Sequence, residues 1–257
     1  MTTAIVLAAG RGSRLGKYTR HLPKALVRAG GRSLLDWHRC ALRECGVSAV
    51  VVTGGYRRDR LSLHAAELVD VPDWHAAGPL ASLLAARPER FEDGFLVVYA
   101  DCPHHPSNVQ RLLASSADIA VAGDREWKAL WTQRCEDPLL DAETYRGADG
   151  ELQAIGARTH DIDAIQAQFA GLVRFTARGW QRTRQVLDAA TTTPPTDMTG
   201  LLSLLLRAGE PIADVAIHGR WCEIDSADDL RLCRRRLRDR SPWSHDWRDS
   251  RNEPRCR

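Results

Sequence analysis

Gly10, Gly12 and Ser13 follow directly on an apolar run, with Arg14 and Lys24 close behind. The stretch reads Thr3-Ala4-Ile5-Val6-Leu7-Ala8-Ala9-Gly10-Arg11-Gly12-Ser13-Arg14-Leu15, then Leu22-Pro23-Lys24-Ala25-Leu26. Glycine lets a backbone turn tightly and approach a ligand, because no Cβ stands in the way. N–H groups exposed in such a turn converge on an anion. Arg14 and Lys24 add two positive charges beside it. This suits a polyphosphate laid across the end of a β-strand. The absence of Gly-Lys-Ser/Thr excludes a P-loop, and Leu15 breaks the Gly-x-Gly-x-x-Gly dinucleotide fingerprint. Gly-x-Gly alone also describes an ordinary strand-to-helix turn; the basic residue and the Pro-Lys pair make the signal more specific.

Two carboxylates stand at comparable places later in the chain. Leu96-Val97-Val98-Tyr99-Ala100-Asp101 is an apolar strand closing on an acid. A hard oxygen ligand there suits Mg²⁺, which takes one or two carboxylates plus phosphate oxygens and water; equally, Asp101 could cap the following turn. In Trp221-Cys222-Glu223-Ile224-Asp225-Ser226-Ala227-Asp228-Asp229-Leu230, Ser226 is a plausible helix N-cap with Asp228 and Asp229 in the first turn. That leaves Asp225 free for other work. Strand alternation puts Glu223 on the same side as Asp225, as a weaker candidate.

A third group is Asp124-Arg125-Glu126-Trp127-Lys128-Ala129-Leu130-Trp131-Thr132-Gln133-Arg134. Aromatic faces near carboxylates attract a substituted ammonium group by about 1–2 kcal/mol. Trp127 and Trp131 could serve that purpose, with Lys128 or Arg134 meeting a phosphorus group. They could equally be helix neighbours in the core, or partners across a homodimer contact.

The elements that must position these groups alternate in type. The spacing predicts a helix over Leu34–Cys45 stopped by Gly46, a strand over Ala49–Thr53, a short helix over Arg57–Leu63 and a strand over Glu67–Val71. A helix over Leu80–Ala86, a strand over Phe95–Tyr99, a helix over Asn108–Ser115 and a strand over Ile119–Ala122 follow. Helices are also expected over Met198–Arg207 and Arg231–Arg240. This β-α-β-α rhythm implies an α/β fold with a mainly parallel sheet covered on both faces. Ligands bind such sheets at the carboxyl ends of the strands, where the glycine turn and Asp101 both fall.

Composition agrees with a globular enzyme. The chain has 257 residues, 44% hydrophobic and 27% charged. A single domain is expected over residues 1–240, with a basic, disordered tail over 241–257. The net charge of +3 is too small to argue for nucleic acid. No apolar stretch is long enough to span a bilayer, so no membrane partner is expected either. A strand beginning almost at the N-terminus leaves no room for a secretory signal, which implies a cytoplasmic location. The seven cysteines are scattered with no Cys-x-x-Cys, so neither a zinc knuckle nor a disulfide framework is indicated.

The Leu-Ala-Ala-Gly-x-Gly-Ser-Arg-Leu and Pro-Lys-Ala-Leu segments resemble the signature of the nucleotidyltransferases that activate sugar phosphates, phosphocholine and phosphonates. The resemblance implies a Rossmann-like three-layer α/β/α fold with a mainly parallel mixed sheet, of nucleotide-diphospho-sugar-transferase type. It implies nucleotide binding by Leu7, Ala8, Ala9, Gly10, Gly12, Ser13 and Arg14, with catalytic roles for Arg14 and Lys24. It also implies Asp101 and Asp225 as ligands of one catalytic Mg²⁺. In related enzymes the region of Gly78 and Ser82 meets base and ribose. Here Gly-Pro-Leu-Ala-Ser-Leu looks like the corresponding stretch of molybdenum-cofactor nucleotidyltransferases. Asp-x-x-Trp-x-x-x-Trp-x-x-Arg is similar to a segment of phosphocholine and aminoalkylphosphonate cytidylyltransferases, which implies acceptor contacts from Asp124, Trp127, Trp131 and Arg134. The implied partners are a nucleoside triphosphate, with CTP favoured, and a small phosphate or phosphonate acceptor. A sugar-1-phosphate or cofactor nucleotidyltransferase is the alternative, and a regulatory module without turnover belongs to a different class.

Overall fold

The computed structural model describes residues 2–65, 67–76, 78–191, 193–239 and 241–248. Eleven strands alternate with eight helices among them. Strand β1 (Thr3–Ala8) is buried at every position and so lies in the middle of a sheet. It pairs in parallel with β4 (Ala49–Gly54) on one side and β6 (Phe95–Tyr99) on the other. Strands β2 (Arg28–Ala29) and β3 (Arg32–Ser33) form a separate small hairpin. The main sheet adds β5 (Glu67–Asp70), β7 (Ile119–Asp124), β8 (Tyr145–Ala148), β9 (Glu151–Ile155), β10 (Gln168–Phe175) and β11 (Ala213–Ile217). Its order is β5-β4-β1-β6-β10-β7-β11-β9-β8.

The half around β1 is parallel, as the βαβ rhythm requires. Strand β10 then inserts antiparallel between β6 and β7. Its register shifts between Phe169 and Val173, around Gly171 at φ +71°. A Cβ on Gly171 would come within 2.8 Å of the Cys102 sulfur, so the bulge brings β10 close behind Asp101. The sheet is therefore mixed.

Helices α1 (Leu34–Glu44), α4 (Pro106–Leu113), α5 (Trp127–Arg134) and α8 (Ala227–Arg238) bury their apolar faces on one side of the sheet. Helices α3 (Pro79–Ala85), α6 (Ala177–Ala189) and α7 (Met198–Arg207) cover the other. A single turn, α2 (Arg58–Leu61), lies beside β4. Each face carries its own apolar core. Among the described residues no helix is long and apolar enough to cross a membrane.

The segment after α8 departs from expectation. Residues 241–248, read as the start of a disordered tail, fold back onto the α1 side. Trp247 is buried and stands edge-on to Trp37 at 6.5 Å, and His245 is fully enclosed. His245 Nε2 donates to Asp124 Oδ2 at 3.0 Å. Aromatic anchors at 243, 245 and 247 outweigh the polar residues between them. Arg240 and residues 249–257 of the expected helix end and tail lie outside the described residues.

Candidate active site

The glycine turn leaves the carboxyl end of β1. Gly12 adopts φ +68°, a left-handed conformation that side chains disfavour. A Cβ there would come within 2.9 Å of Lys24 Cδ, so the missing side chain is the space that the Lys24 stem occupies. Gly10 has open space around its Cα, facing the cleft. The turn is braced from behind: Leu15 N donates to Gly12 O at 3.0 Å, and Thr19 Oγ1 donates to the same carbonyl at 2.9 Å.

Lys24 begins a short 3₁₀ turn after Pro23 and points back across the turn. Its Nζ lies 2.5 Å from Asp101 Oδ2 and 2.6 Å from Asp225 Oδ1. Asp101 follows β6, and its carbonyl accepts from Ile224 N at 3.0 Å, which ties the two carboxylate-bearing segments together. Asp225 immediately precedes Ser226, the N-cap of α8. Ser226 caps that helix in a capping box with Asp229, so Asp225 is released from capping. Arg14 Nη2 closes on Asp225 Oδ2 at 2.5 Å, while 70% of the Arg14 side chain remains exposed.

The charges are strongly coupled. Burial works against the Lys24 ammonium, but Asp101 and Asp225 outweigh it and hold Lys24 above its ordinary value. Burial likewise opposes ionisation of Asp101, and Lys24 reverses this, keeping Asp101 below the usual carboxylate range. Glu223 is different. Enclosure pushes its carboxyl up to about 7, with attraction from Arg134 opposing and repulsion from Asp101, Asp141 and Asp225 adding. The Glu223 side chain keeps 29% of its surface accessible.

These residues line one cavity of about 330 Å³ at the carboxyl end of the parallel strands. It brings together Leu7, Ala8, Ala9, Gly10, Gly12, Ser13, Arg14, Lys24, Gly78, Ser82, Asp101 and Asp225. Gly78 opens α3, and its Cα faces the Thr196 carbonyl so closely that a Cβ would come within 2.1 Å. Tyr99, Pro79 and Ala100 also line the cavity and were not foreseen. Tyr99 stands two residues before Asp101 at a strand end, a position from which strand alternation could have placed it. A larger cavity of about 560 Å³, beside α1 and β4, contains none of these groups.

The expected acceptor residues are elsewhere. Trp127 and Trp131 stand edge-to-face at 6.0 Å, both buried in the core between α5 and its neighbours. Trp127 Nε1 donates to Ile165 O at 3.3 Å, and Trp131 Nε1 donates to Asp141 Oδ2 at 3.1 Å. Neither offers an open face to an ammonium group. Asp124 is fully enclosed and accepts from Gly219 N, Trp221 Nε1 and His245 Nε2 at 2.8–3.0 Å. Only 4% of the Arg134 side chain is exposed. The core reading of this segment holds, and direct acceptor contact by these four side chains is corrected. The cause is coverage by α8, which is distant in sequence, and by the stretch of residues 138–165 that follows α5.

The chain has relatives in sequence and in fold. The family model described as "MobA-like NTP transferase domain" matches residues 4–162. "CTP:phosphoglutamine cytidylyltransferase" of Campylobacter jejuni is 28% identical over 249 residues, covering 89% of this chain and 98% of that protein. "CMP-5'-(3-aminopropyl)phosphonate synthase" of Streptomyces rubellomurinus is 33% identical over 157 residues, covering 58% of this chain but only 23% of that longer protein. Among solved structures, the inositol-1-phosphate CTP transferase of T. maritima superposes with a TM-score of 0.72 at 20% identity, covering 95% of this chain and 98% of that one, a likeness of fold. On the family match, the chain belongs to the MobA-like NTP transferases and is a nucleotidyltransferase.

Proposed function

We propose that the chain transfers CMP from CTP to a small phosphate- or phosphonate-bearing acceptor, releasing pyrophosphate with the help of Mg²⁺. The carrying observation is that Lys24 Nζ lies within 2.6 Å of both Asp101 and Asp225, beside a glycine turn with outward space. Two carboxylates gathered on one cationic nitrogen are a hard-oxygen donor pair, and they fit Mg²⁺ completed by phosphate oxygens and water. Bound there, Mg²⁺ supplies charge neutralisation at the phosphates.

The chain's own groups account for the rest. Phosphoryl-type transfer asks a protein for alignment and charge stabilisation. The backbone of residues 10–13 receives the triphosphate. Arg14, largely exposed, stabilises the departing pyrophosphate, and Lys24 offsets charge where the two anions meet. An acceptor oxygen bonds to the α-phosphorus as the bond to pyrophosphate breaks, and the electron pair leaves with pyrophosphate. That oxygen is already ionised at neutral pH, so no general base is assigned. Gly78 and Ser82, at the start of α3, border the nucleoside end. CTP is favoured because the relatives named above use cytidine nucleotides.

The test is pyrophosphate release from each of the four nucleoside triphosphates against phosphocholine, 2-aminoethylphosphonate, a phosphorylated amide such as phosphoglutamine, and common sugar-1-phosphates. Turnover with CTP and a non-sugar acceptor is expected. Turnover confined to sugar phosphates overturns the acceptor assignment, and preference for another triphosphate overturns the base.

A further inference from the structure

Arg134 sits one layer behind the site, enclosed by α8 and the segment before it. Its Nε donates to Asp229 Oδ1 at 2.9 Å and its Nη1 lies 2.7 Å from Glu223 Oε2. Its guanidinium stacks over the Trp131 ring, 4.6 Å from the centroid. The other oxygen of Asp229 accepts from Asp225 N at 3.1 Å, Ser226 N at 2.8 Å and Ser226 Oγ at 2.9 Å. One guanidinium therefore grips the segment at Glu223 and, through Asp229, at the peptide groups that carry Asp225.

We propose that Arg134 is a positioning residue that aims the Asp225 carboxylate into the cleft. A planar fork with five donors can hold two carboxylates at once, whereas a lysine presents a single point charge. Among the described residues the segment from 223 to 226 belongs to no strand; apart from the Ile224–Asp101 bond, and an isolated bridge at Trp221 just before it, its backbone is fixed mainly from this side. The Arg134 side chain does not itself line the cleft. The role rests on the reading of Asp225 as a metal ligand.

The experiment measures Mn²⁺ affinity by electron paramagnetic resonance, and CTP affinity without metal by calorimetry, on the full chain. The variants are Arg134→Met, Arg134→Lys and Asp229→Asn, with Asp225→Asn as reference. Removing a group that orients a metal ligand costs about 10–100-fold in metal affinity. That loss is expected in Arg134→Met and Asp229→Asn, with a smaller loss in Arg134→Lys and metal-free CTP affinity changed by less than the roughly tenfold lower end of that range. In the Asp225→Asn background, Arg134→Met should have no further effect, because the two act as one unit. Unchanged Mn²⁺ affinity in a folded Arg134→Met overturns the proposal. If that variant does not fold, Asp229→Asn decides by the same criterion, since its amide keeps an acceptor for the helix cap. Wild-type Mn²⁺ binding that ignores Asp225→Asn removes the metal reading instead. Dependence on Asp225 without dependence on Arg134 or Asp229 removes this inference alone.

Discussion

The Lys24 side chain runs through the space that a Cβ on Gly12 would fill, with Cδ at 2.9 Å from that point. The glycine turn and the Lys24 ammonium are thus one packed unit. Gly12→Ala should displace Lys24 and also strain a left-handed backbone, at about 1–2 kcal/mol. The expected result is a fall of about 100-fold in kcat/KM for pyrophosphate release, with a folded protein by circular dichroism. Near wild-type turnover would show that Lys24 does not act from this position.

Lys24 itself separates two anions. In Lys24→Met, Asp101 and Asp225 face each other without their shared counterion. Turnover should fall by about 10²–10³-fold, the usual cost of losing one preorganised charge-stabilising donor. Thermal stability without nucleotide should meanwhile respond more strongly to added Mg²⁺ than in the wild type, because no ammonium competes for the carboxylates. A magnesium-independent melting curve in Lys24→Met would contradict the two-carboxylate site.

The buried tryptophans make an opposite forecast. Trp127→Ala should lower unfolding free energy by about 3–5 kcal/mol, as for other large aromatic truncations. Trp131→Phe, which keeps most of the packing, should leave acceptor KM unchanged. Urea unfolding and acceptor titration check the pair. A large rise in acceptor KM in stable Trp131→Phe would restore the aromatic acceptor site.

Acid should loosen the region behind Asp101. Burial, followed by repulsion from His38, lowers His104 to about 3, while His38 itself is lowered by burial to about 4, against an ordinary value of 6.5. Their Nε2 atoms meet Ala170 O and Ala100 O at 2.8 and 3.1 Å. Both groups stay neutral when folded and take up protons when unfolded. Their contribution is therefore whole above about pH 6.5 and declines as pH falls toward 4 and 3. The melting temperature should drop over that window, and less so in His38→Gln. A pH-independent difference between His38→Gln and wild type would refute this.

The parts of the site written locally were legible. Gly10 to Arg14, Lys24, Asp101 and Asp225 sit in short segments whose composition already specifies a turn or a strand end, and strand order did the rest. Trp127 was ambiguous because α5 has charged neighbours on every side; its burial comes from Ile165 and α8, contacts that no local pattern encodes. Residues 241–248 misled for a related reason. Their charge count suggested solvation, yet aromatic side chains at alternate positions find Trp37 and Asp124 far away in the chain. Arg134 carried a signal for function, but its fork turned out to face a helix cap and not a ligand.

Lys24 and Arg14 set two positive charges against the two negative charges of Asp101 and Asp225. The resting cleft is electrically balanced, so folding needs no ion to quench it. An incoming triphosphate must then import its own countercharge and break that truce before any bond can change hands.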